Sequence, residues 1–305
     1  MENSQNHLKV SAVLPWFIIL LLGLALIFVM VKQRGGEKGV FETIIRENEL
    51  LSTMRLGLLR AAEAEKSAVL AITDEESRKF ADQARLAAAG VDKARRELAP
   101  LVEQDQSAKE TSLITEFDRC WTEFQKLDQL LLDLAVQNTN LHAANLALTR
   151  GTETVNRLEG HLTRLIDSSA SGGGNGRIVR LSYQALVAGL KIHDLYTPHI
   201  EAETDEAMDR IEKEIKSNEE ILKNSLNDLA GHVQGKGLDM VKEARAAYTE
   251  LDEITNTIIV LSRKNTNIKS LELSLGKKRL VTAQCDEVLK TLQESIRGRE
   301  TKATR

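Results

Sequence analysis

Apolar side chains recur every three or four residues along most of this chain, in narrow stripes separated by polar positions. One stripe contains Phe117, Cys120, Phe124, Leu127, Leu131 and Leu134, and another contains Met208, Ile211, Ile215, Leu222, Leu226, Leu229 and Val233. This spacing places the apolar side chains on one face of an α-helix, whereas a strand would alternate them with a period of two. The pattern therefore predicts an all-α fold of amphipathic helices that pack as bundles.

One segment departs from this pattern, because the 22 residues from Val10 to Val31 carry no charge. About 20 apolar residues are enough to cross a bilayer as a helix, and Trp16 stands where an interfacial aromatic residue is expected. The segment ends in large apolar residues and lacks the small residues of a signal-peptide cleavage site. We therefore expect a tail at 1–9 and a transmembrane helix at 10–31 that anchors the chain once in the lipid bilayer.

The charges that flank this segment bear on its orientation. Lys32, Arg34 and Lys38 follow it, whereas Lys9 is the basic residue that immediately precedes it. Basic residues favour the cytoplasmic side of a membrane, so this bias would place the long C-terminal part in the cytoplasm. The orientation therefore stays open between a cytoplasmic and an extracytoplasmic C-terminal part.

A run rich in glycine and serine at 168–176 divides the rest of the chain into two stretches of similar length. This composition is typical of a flexible linker. We expect a first four-helix bundle at 40–167, a second four-helix bundle at 177–298 and a tail at 299–305. Short connections favour antiparallel neighbours, so the predicted architecture is two up-down bundles in series.

The two stretches also resemble each other in sequence. Residues 121–148 align without a gap on residues 248–275, 127 positions later, and 8 of the 28 pairs are identical. The Asn-Thr-Asn triplet at 138–140 recurs at 265–267 in register with its flanks, which indicates an internal repeat. Capping residues recur as well, with Thr73 starting a capping box that Glu76 completes and Thr204 providing a weaker equivalent.

The triplet allows two interpretations. Asparagine favours left-handed turns and helix N-caps, which would place Asn138, Asn140, Asn265 and Asn267 in turns between helices. Alternatively, the heptad that contains Leu131 continues to Asn138, where a buried asparagine in an unbroken helix would set the register of packing. We favour the turn.

Several of these segments resemble a known family. The run from Leu58 to Lys66 followed by Thr73–Glu76, and the run from Phe117 to Leu134 followed by Asn138–Asn140, are similar to the four-helix-bundle sensor domains of bacterial methyl-accepting chemotaxis receptors. In the second half, His199–Ile200, Thr204–Glu206 and Met208–Asp209 resemble the same family. A double bundle is also similar to the helical bimodular type of these domains, which binds small organic acids.

This resemblance implies a protein of the bacterial inner membrane that crosses the membrane once and carries its sensor domain in the periplasm. It also implies a homodimer or a complex with a signalling partner. A chemoreceptor would continue into a second membrane helix and a signalling hairpin, whereas this sequence ends at Arg305. The leading expectation is therefore a membrane-anchored extracytoplasmic helical sensor that acts through a partner. The alternative is a cytoplasmic, membrane-tethered helical scaffold for protein–protein interaction.

Charge and chemistry narrow the remaining classes. The 41 basic and 45 acidic residues give a formal net charge of −4, which does not favour nucleic-acid binding. No nucleophile, phosphate-loop or metal-binding motif is present, so we expect neither an enzyme nor a bound cofactor or metal. The two cysteines, Cys120 and Cys285, lie in different predicted bundles, and we expect them to be unpaired.

The candidate ligand residues are the side chains that could meet a carboxylate between helices. Five gather at the start of the second bundle, and two basic residues lie in the first: Tyr183, Lys191, His193, Tyr196, His199, Arg55 and Arg60. Arginine, lysine and histidine donate charge-assisted hydrogen bonds to carboxylates. The alternative is that the basic residues extend into solvent along the surface and the tyrosines pack the bundle end.

Overall fold

The computed structural model describes residues 39–170 and 175–301 in full, and the backbone alone of residues 10–38, 171, 302 and 303. Regular structure over these residues is helical, which confirms the all-α prediction. The helices are α1 (Val10–Leu70), α2 (Asp74–Gln104), α3 (Ala108–Ala135), α4 (Thr139–Leu146), α5 (Thr152–Ser171), α6 (Gly176–Asp194), α7 (Tyr196–Ile200), α8 (Asp205–Ala230), α9 (Lys236–Lys264), α10 (Thr266–Leu273) and α11 (Arg279–Ala303). Two π-helical turns, Ala147–Gly151 and Ser274–Lys278, lead into α5 and α11.

The membrane-spanning part of the predicted fold class is corrected. Over the residues that are described in full, no helix is both long enough and apolar enough to cross a membrane. The segment expected to do so, 10–31, lies outside those residues. What the structure supports of the predicted fold class is therefore the all-α part.

The chain divides into two compact units, and each unit draws on separated stretches of sequence. The first unit takes Met1–Ala62, Ala84–Gln125 and Leu280–Arg305, and the second takes Glu63–Gln83 and Lys126–Arg279. This division differs from the two consecutive bundles expected at 40–167 and 177–298. The prediction of bundles in series is therefore wrong, because the last helix is not grouped with the helices that directly precede it.

A four-helix bundle forms the main part of the second unit. Helices α5, α6, α8 and α9 pack in a ring in which each helix contacts two neighbours. Their apolar faces meet in one continuous core that contains Leu158, Leu162, Leu222, Leu226 and Ile258, all with at most 1% of their surface exposed. The helices pack together because contact between their apolar faces removes these faces from water.

The first unit is also a four-helix arrangement, built from parts of α1, α2, α3 and α11. The side chain of Trp121 stacks between Phe117 and Phe124, and its indole N–H donates to Asp92 of α2 at 2.9 Å. Arg55 of α1 donates to Asp286 of α11 at 3.0 Å. These contacts tie α2 to α3 and α1 to α11, so the C-terminal helix completes the bundle begun by the first three.

A disulfide bond links Cys120 of α3 to Cys285 of α11 within the first unit. Their Cα atoms lie 5.6 Å apart, which is within the usual range for a disulfide. The sequence-based expectation of unpaired cysteines is therefore wrong. It assumed that α11 packs with α9, whereas α11 packs beside α3.

The structure confirms the internal repeat and extends it. Helix α4, its π-helical turn and the start of α5 recur 127 residues later as α10, the second π-helical turn and the start of α11. Buried positions of α1 and α2 recur in α6 and α8 at an offset of 131 residues. This offset aligns Thr73 with Thr204, whose side chains accept the Glu76 and Ala207 N–H groups, both at 3.2 Å, so both predicted caps are confirmed.

Each unit therefore combines three helices of one repeat with the last helix of the other. The first repeat supplies most of α1, α2 and α3 to the first unit but gives α5 to the second. The second repeat supplies α6, α8 and α9 to the second unit but gives α11 to the first. The predicted linker at 168–176 contributes the end of α5 and the start of α6, where Asn175 caps the helix by accepting from the Arg177 N–H; residues 172–174 lie outside the described part of the chain.

Candidate functional site

The two Asn-Thr-Asn triplets meet in the second unit, at the N-termini of α4 and α10. Asn138 and Asn265 adopt left-handed conformations, with φ of 48° and 55°, and break the chain just before each helix. Asn140 and Asn267 lie within α4 and α10, so the predicted turn is confirmed for Asn138 and Asn265 alone. Asparagine tolerates positive φ better than most residues. Both asparagines are also buried, as the alternative interpretation expected, with exposures of 0% and 4%.

Each triplet caps the helix of the other, and we call this arrangement the clasp (residues 138–140 and 265–267). The Thr139 N–H donates to the Thr266 hydroxyl at 3.2 Å, and the Thr266 N–H donates to the Thr139 hydroxyl at 3.3 Å. The Asn140 and Asn267 N–H groups donate to each other's side-chain oxygen at 3.1 and 3.3 Å. The clasp therefore satisfies backbone donors that have no acceptor within their own helix.

The same asparagines hold two neighbouring turns. The Asn138 amide donates to Asp74 at the start of α2 at 3.0 Å. The Asn140 and Asn265 amides donate to the carbonyl oxygens of Ile200 and Ala202 at 2.8 and 3.0 Å. The clasp thus fixes the α1–α2 connection and the α7–α8 loop as well as α4 and α10.

Two equivalent interior positions beside the clasp hold different chemistry. The side chain of Lys278, at the end of the second π-helical turn, forms an ion pair with Asp128 and is 1% exposed. Glu65 lies close enough to influence the Lys278 charge. In the other repeat, Gly151, Thr255 and Tyr196 replace these three residues, and the Tyr196 hydroxyl lies 2.8 Å from the Thr255 hydroxyl.

Burial dominates the electrostatics of these positions. It raises the pKa of the Glu65 carboxyl, an effect that the Ser274 hydroxyl and the Lys278 charge partly offset. Burial also lowers the pKa of the Lys278 ammonium group, against the opposing effect of Asp128. The pKa of Tyr196 is raised to about 12 by burial, so its phenol stays protonated and can donate a hydrogen bond.

His199 forms a third buried polar group in the second unit. One ring nitrogen lies 2.7 Å from the Ser262 hydroxyl, and the other lies 2.9 Å from Glu212. Arg263 also donates to Glu212, at 2.6 Å, and holds the pKa of that carboxyl below its ordinary value. Because His199 is fully buried, its contacts serve to fix α7 against α8 and α9.

A groove of about 380 Å³ lies on the outer face of the second unit, between α6 and α8. Its apolar surface comes from Tyr183, Val187 and Ile221, which are 53%, 46% and 45% exposed. Arg180 and Lys191 line the same groove, three helical turns apart and about 16 Å along α6. Within the described part of the chain, neither forms an ion pair, and no acidic side chain lines the groove.

The seven predicted ligand residues do not converge on one place. Tyr183 and Lys191 line the same groove. Tyr196 and His199 are buried inside the second unit, and His193 contacts Thr152 at 3.1 Å. The other two belong to the first unit, where Arg55 is paired with Asp286 and Arg60 is exposed.

Sequence reasoning missed Arg180, Val187 and Ile221 as groove residues. The spacing of Arg180, Tyr183, Val187 and Lys191 is three, four and four residues, which places them on one helix face. That spacing is visible in the sequence. The other side of the groove is formed by α8, however, and the packing of α8 against α6 could not be predicted from the sequence. Asp128 and Lys278 were also missed, because they meet only through the packing of distant segments.

No known protein family matches the sequence, and no curated protein shows significant similarity to it. The likeness to chemoreceptor sensor domains therefore stays a prediction.

The clasp generates a test of its reciprocity. Replacing Thr266→Val keeps the side-chain shape but removes the acceptor of the buried Thr139 N–H. We expect the free energy of unfolding to fall by about 1–3 kcal/mol, and Thr139→Val to behave alike. The two hydroxyl oxygens also lie 3.2 Å apart, and each substitution breaks this shared contact. The double variant should therefore lose less than the sum of the two.

The matched control is Thr249→Val, whose exposed hydroxyl donates within its own helix to the Arg245 carbonyl. It should change the free energy of unfolding by less than about 0.5 kcal/mol. Denaturant unfolding of the four variants decides the matter. Strict additivity of the two clasp substitutions would contradict the reciprocal arrangement.

The buried carboxyl of Glu65 generates a prediction about pH. A raised pKa means that the folded state binds the proton more tightly than the unfolded state, so its contribution to stability is complete below the ordinary pKa of 4.5. This contribution is lost as the pH rises through the folded-state pKa. The stability of the natural protein relative to Glu65→Gln should therefore fall as the pH rises above 4.5 and then level off.

Glu63→Gln is the control, because Glu63 is exposed on the same helix two residues away. Its stability difference from the natural protein should change little over the same pH range. Chemical unfolding across the range measures both curves. A flat curve for Glu65→Gln would show that the carboxyl titrates alike in the two states.

Proposed function

We propose that this chain is a helical sensor module that binds a small organic acid and acts through a partner protein. The observation that carries the proposal is the outer groove between α6 and α8. It combines apolar side chains with the cations of Arg180 and Lys191, and two of the residues expected from the sequence, Tyr183 and Lys191, line it. Its volume of about 380 Å³ is within the range of small-molecule sites.

The groove favours a particular kind of acid. An aromatic or aliphatic body can cover Tyr183, Val187 and Ile221, while a carboxylate meets Lys191 or Arg180. A guanidinium or ammonium group forms strong charge-assisted hydrogen bonds with a carboxylate. None of the described residues that line the groove is acidic, so a cationic ligand would find no partner among them. The proposed ligand class is therefore an amphipathic carboxylate.

The repeat offers an internal comparison. The first repeat keeps one of the two cations of the groove, because the equivalents of Arg180, Tyr183, Val187 and Lys191 in α1 are Glu49, Ser52, Leu56 and Arg60. A glutamate stands where the groove has an arginine, and a serine where it has a tyrosine. The first repeat therefore lacks the combination that supports carboxylate binding in the second, which favours a site specific to α6 and α8.

We also propose that the module lies outside the cytoplasm, and the disulfide supports this location. Disulfides persist in oxidising compartments and are rare where glutathione and thioredoxin keep thiols reduced. A cytoplasmic scaffold, which is the alternative function, would keep Cys120 and Cys285 as thiols. The bond between them therefore favours a location outside the cytoplasm.

Calorimetric titration of the full chain tests the binding function. The probes are phenylacetate and hexanoate, with phenylacetamide as an uncharged control of matched shape. We expect the acids to bind and the amide to bind more weakly, since it lacks the charge. If neither acid bound, the proposal would be contradicted.

Variants test the site. Arg180→Gln combined with Lys191→Gln removes both cations and should weaken acid binding by roughly tenfold or more, because a hydrogen bond to a charged group contributes about 1.5–3 kcal/mol. Arg210→Gln, on α8 outside the groove, is the control and should bind as the natural protein does. If Arg210→Gln weakened acid binding as much as the double variant does, the effect would be one of general charge and would contradict a site in the groove.

A further inference from the structure

The two repeats could in principle pack in a second way. We call the observed arrangement exchanged, because each unit takes its last helix from the other repeat. Without exchange, α5 would complete a bundle with α1, α2 and α3, and α11 would complete one with α6, α8 and α9. Helices α5 and α11 bury equivalent positions, such as Leu158 and Cys285 or Leu162 and Leu289. The apolar pattern therefore suits both arrangements, and something more specific must distinguish them.

We propose that a small set of buried residues on α5, α11 and the π-helical turns before them selects the exchanged arrangement. They act by size, by charge and by covalent bonding. Each of these residues differs from its equivalent in the other repeat, and each matches only the helices it now contacts. The selecting pairs are Leu158 with Gly189, Lys278 with Asp128, and Cys285 with Cys120.

The size difference concerns Leu158 and Gly189. A Cβ atom at Gly189 would lie only 2.6 Å from the Leu158 Cδ2 atom, so the leucine fits because the neighbour is glycine. The equivalents are Cys285 on α11 and Leu58 on α1. Without exchange, Leu158 would meet the larger Leu58, and the smaller Cys285 would leave a cavity beside Gly189; overpacking and cavities both destabilise a core.

The charge difference concerns Lys278 and its equivalent, Gly151. In the exchanged arrangement Lys278 neutralises Asp128, and Gly151 leaves room for the Tyr196 ring, whose nearest atom is 3.3 Å from a Cβ at that position. Without exchange, Lys278 would face Thr255 and Tyr196, and Asp128 would face a glycine. Removing one partner of a buried ion pair leaves the other charge uncompensated, which is strongly unfavourable.

The covalent difference concerns Cys120 and Cys285. Their equivalents are Ala247 on α9 and Leu158 on α5. In the exchanged arrangement the two cysteines face each other, as do Ala247 and Leu158 by the symmetry of the repeat. Without exchange, each cysteine would face an alanine or a leucine and no disulfide could form.

Four versions of the full chain, each with two cysteines, distinguish the arrangements. The natural protein has Cys120 and Cys285. The second version combines Cys120→Ala, Cys285→Ala, Leu158→Cys and Ala247→Cys. The third combines Cys285→Ala with Leu158→Cys, and the fourth combines Cys120→Ala with Ala247→Cys.

Each version is refolded with oxidised glutathione, which takes up the two protons and two electrons of the thiol pair and leaves as two molecules of reduced glutathione. Mass mapping of non-reduced peptides then identifies the bonds, and circular dichroism confirms helical folding. We expect disulfides in the first and second versions and free thiols in the third and fourth. A disulfide in the third or fourth version, or free thiols in the natural protein, would overturn the exchanged arrangement.

A second comparison tests selection itself. Adding Gly151→Lys and Lys278→Gly to the third version moves the lysine to the position that faces Asp128 only without exchange. We expect a disulfide between position 158 and Cys120 to form in this variant, whereas the third version alone keeps its thiols free. Free thiols in this variant as well would show that the charged pair does not select the arrangement.

Discussion

Two helix N-termini meet inside the second unit, and each can be buried only because the other supplies its hydrogen-bond acceptors. The first N–H groups of α4 and α10 have no partner within their own helix, and both N-termini carry partial positive charge, so they repel each other. The side-chain oxygens of the Asn-Thr-Asn triplets satisfy these donors reciprocally. The rest of the fold depends on this clasp, because it joins the two repeats and fixes two further turns.

Away from the clasp the repeats have diverged, and the differences carry the specificity of the molecule. The interior has an ion pair in one repeat and a tyrosine–threonine contact in the other. The outer face has a cationic, apolar groove on α6, whereas a glutamate and a serine stand at equivalent places on α1. Two repeats with the same helical arrangement therefore differ in their buried polar contacts, and one of them has the candidate ligand groove.

The sequence was sufficient for the helical class, the repeat, both threonine caps and the turn at each triplet, because these follow from local spacing and residue preference. The exchange of α5 and α11 could not be predicted, since apolar periodicity is the same in both helices. A subtler signal existed, because Cys120 and Cys285 align with Ala247 and Leu158 and so break the repeat. Of the candidate site, Tyr183 and Lys191 could be found on one helix, but their neighbours on α8 required the fold.

Native-state hydrogen exchange of the Thr139, Asn140, Thr266 and Asn267 N–H groups is the most direct test of the clasp. The first N–H groups of a helix ordinarily exchange through local fraying, because no intrahelical acceptor protects them. If the clasp unites the repeats, these four should exchange only through global unfolding, with the same denaturant dependence as core amides such as that of Leu226. Exchange through a local opening far below the global unfolding free energy would contradict the account.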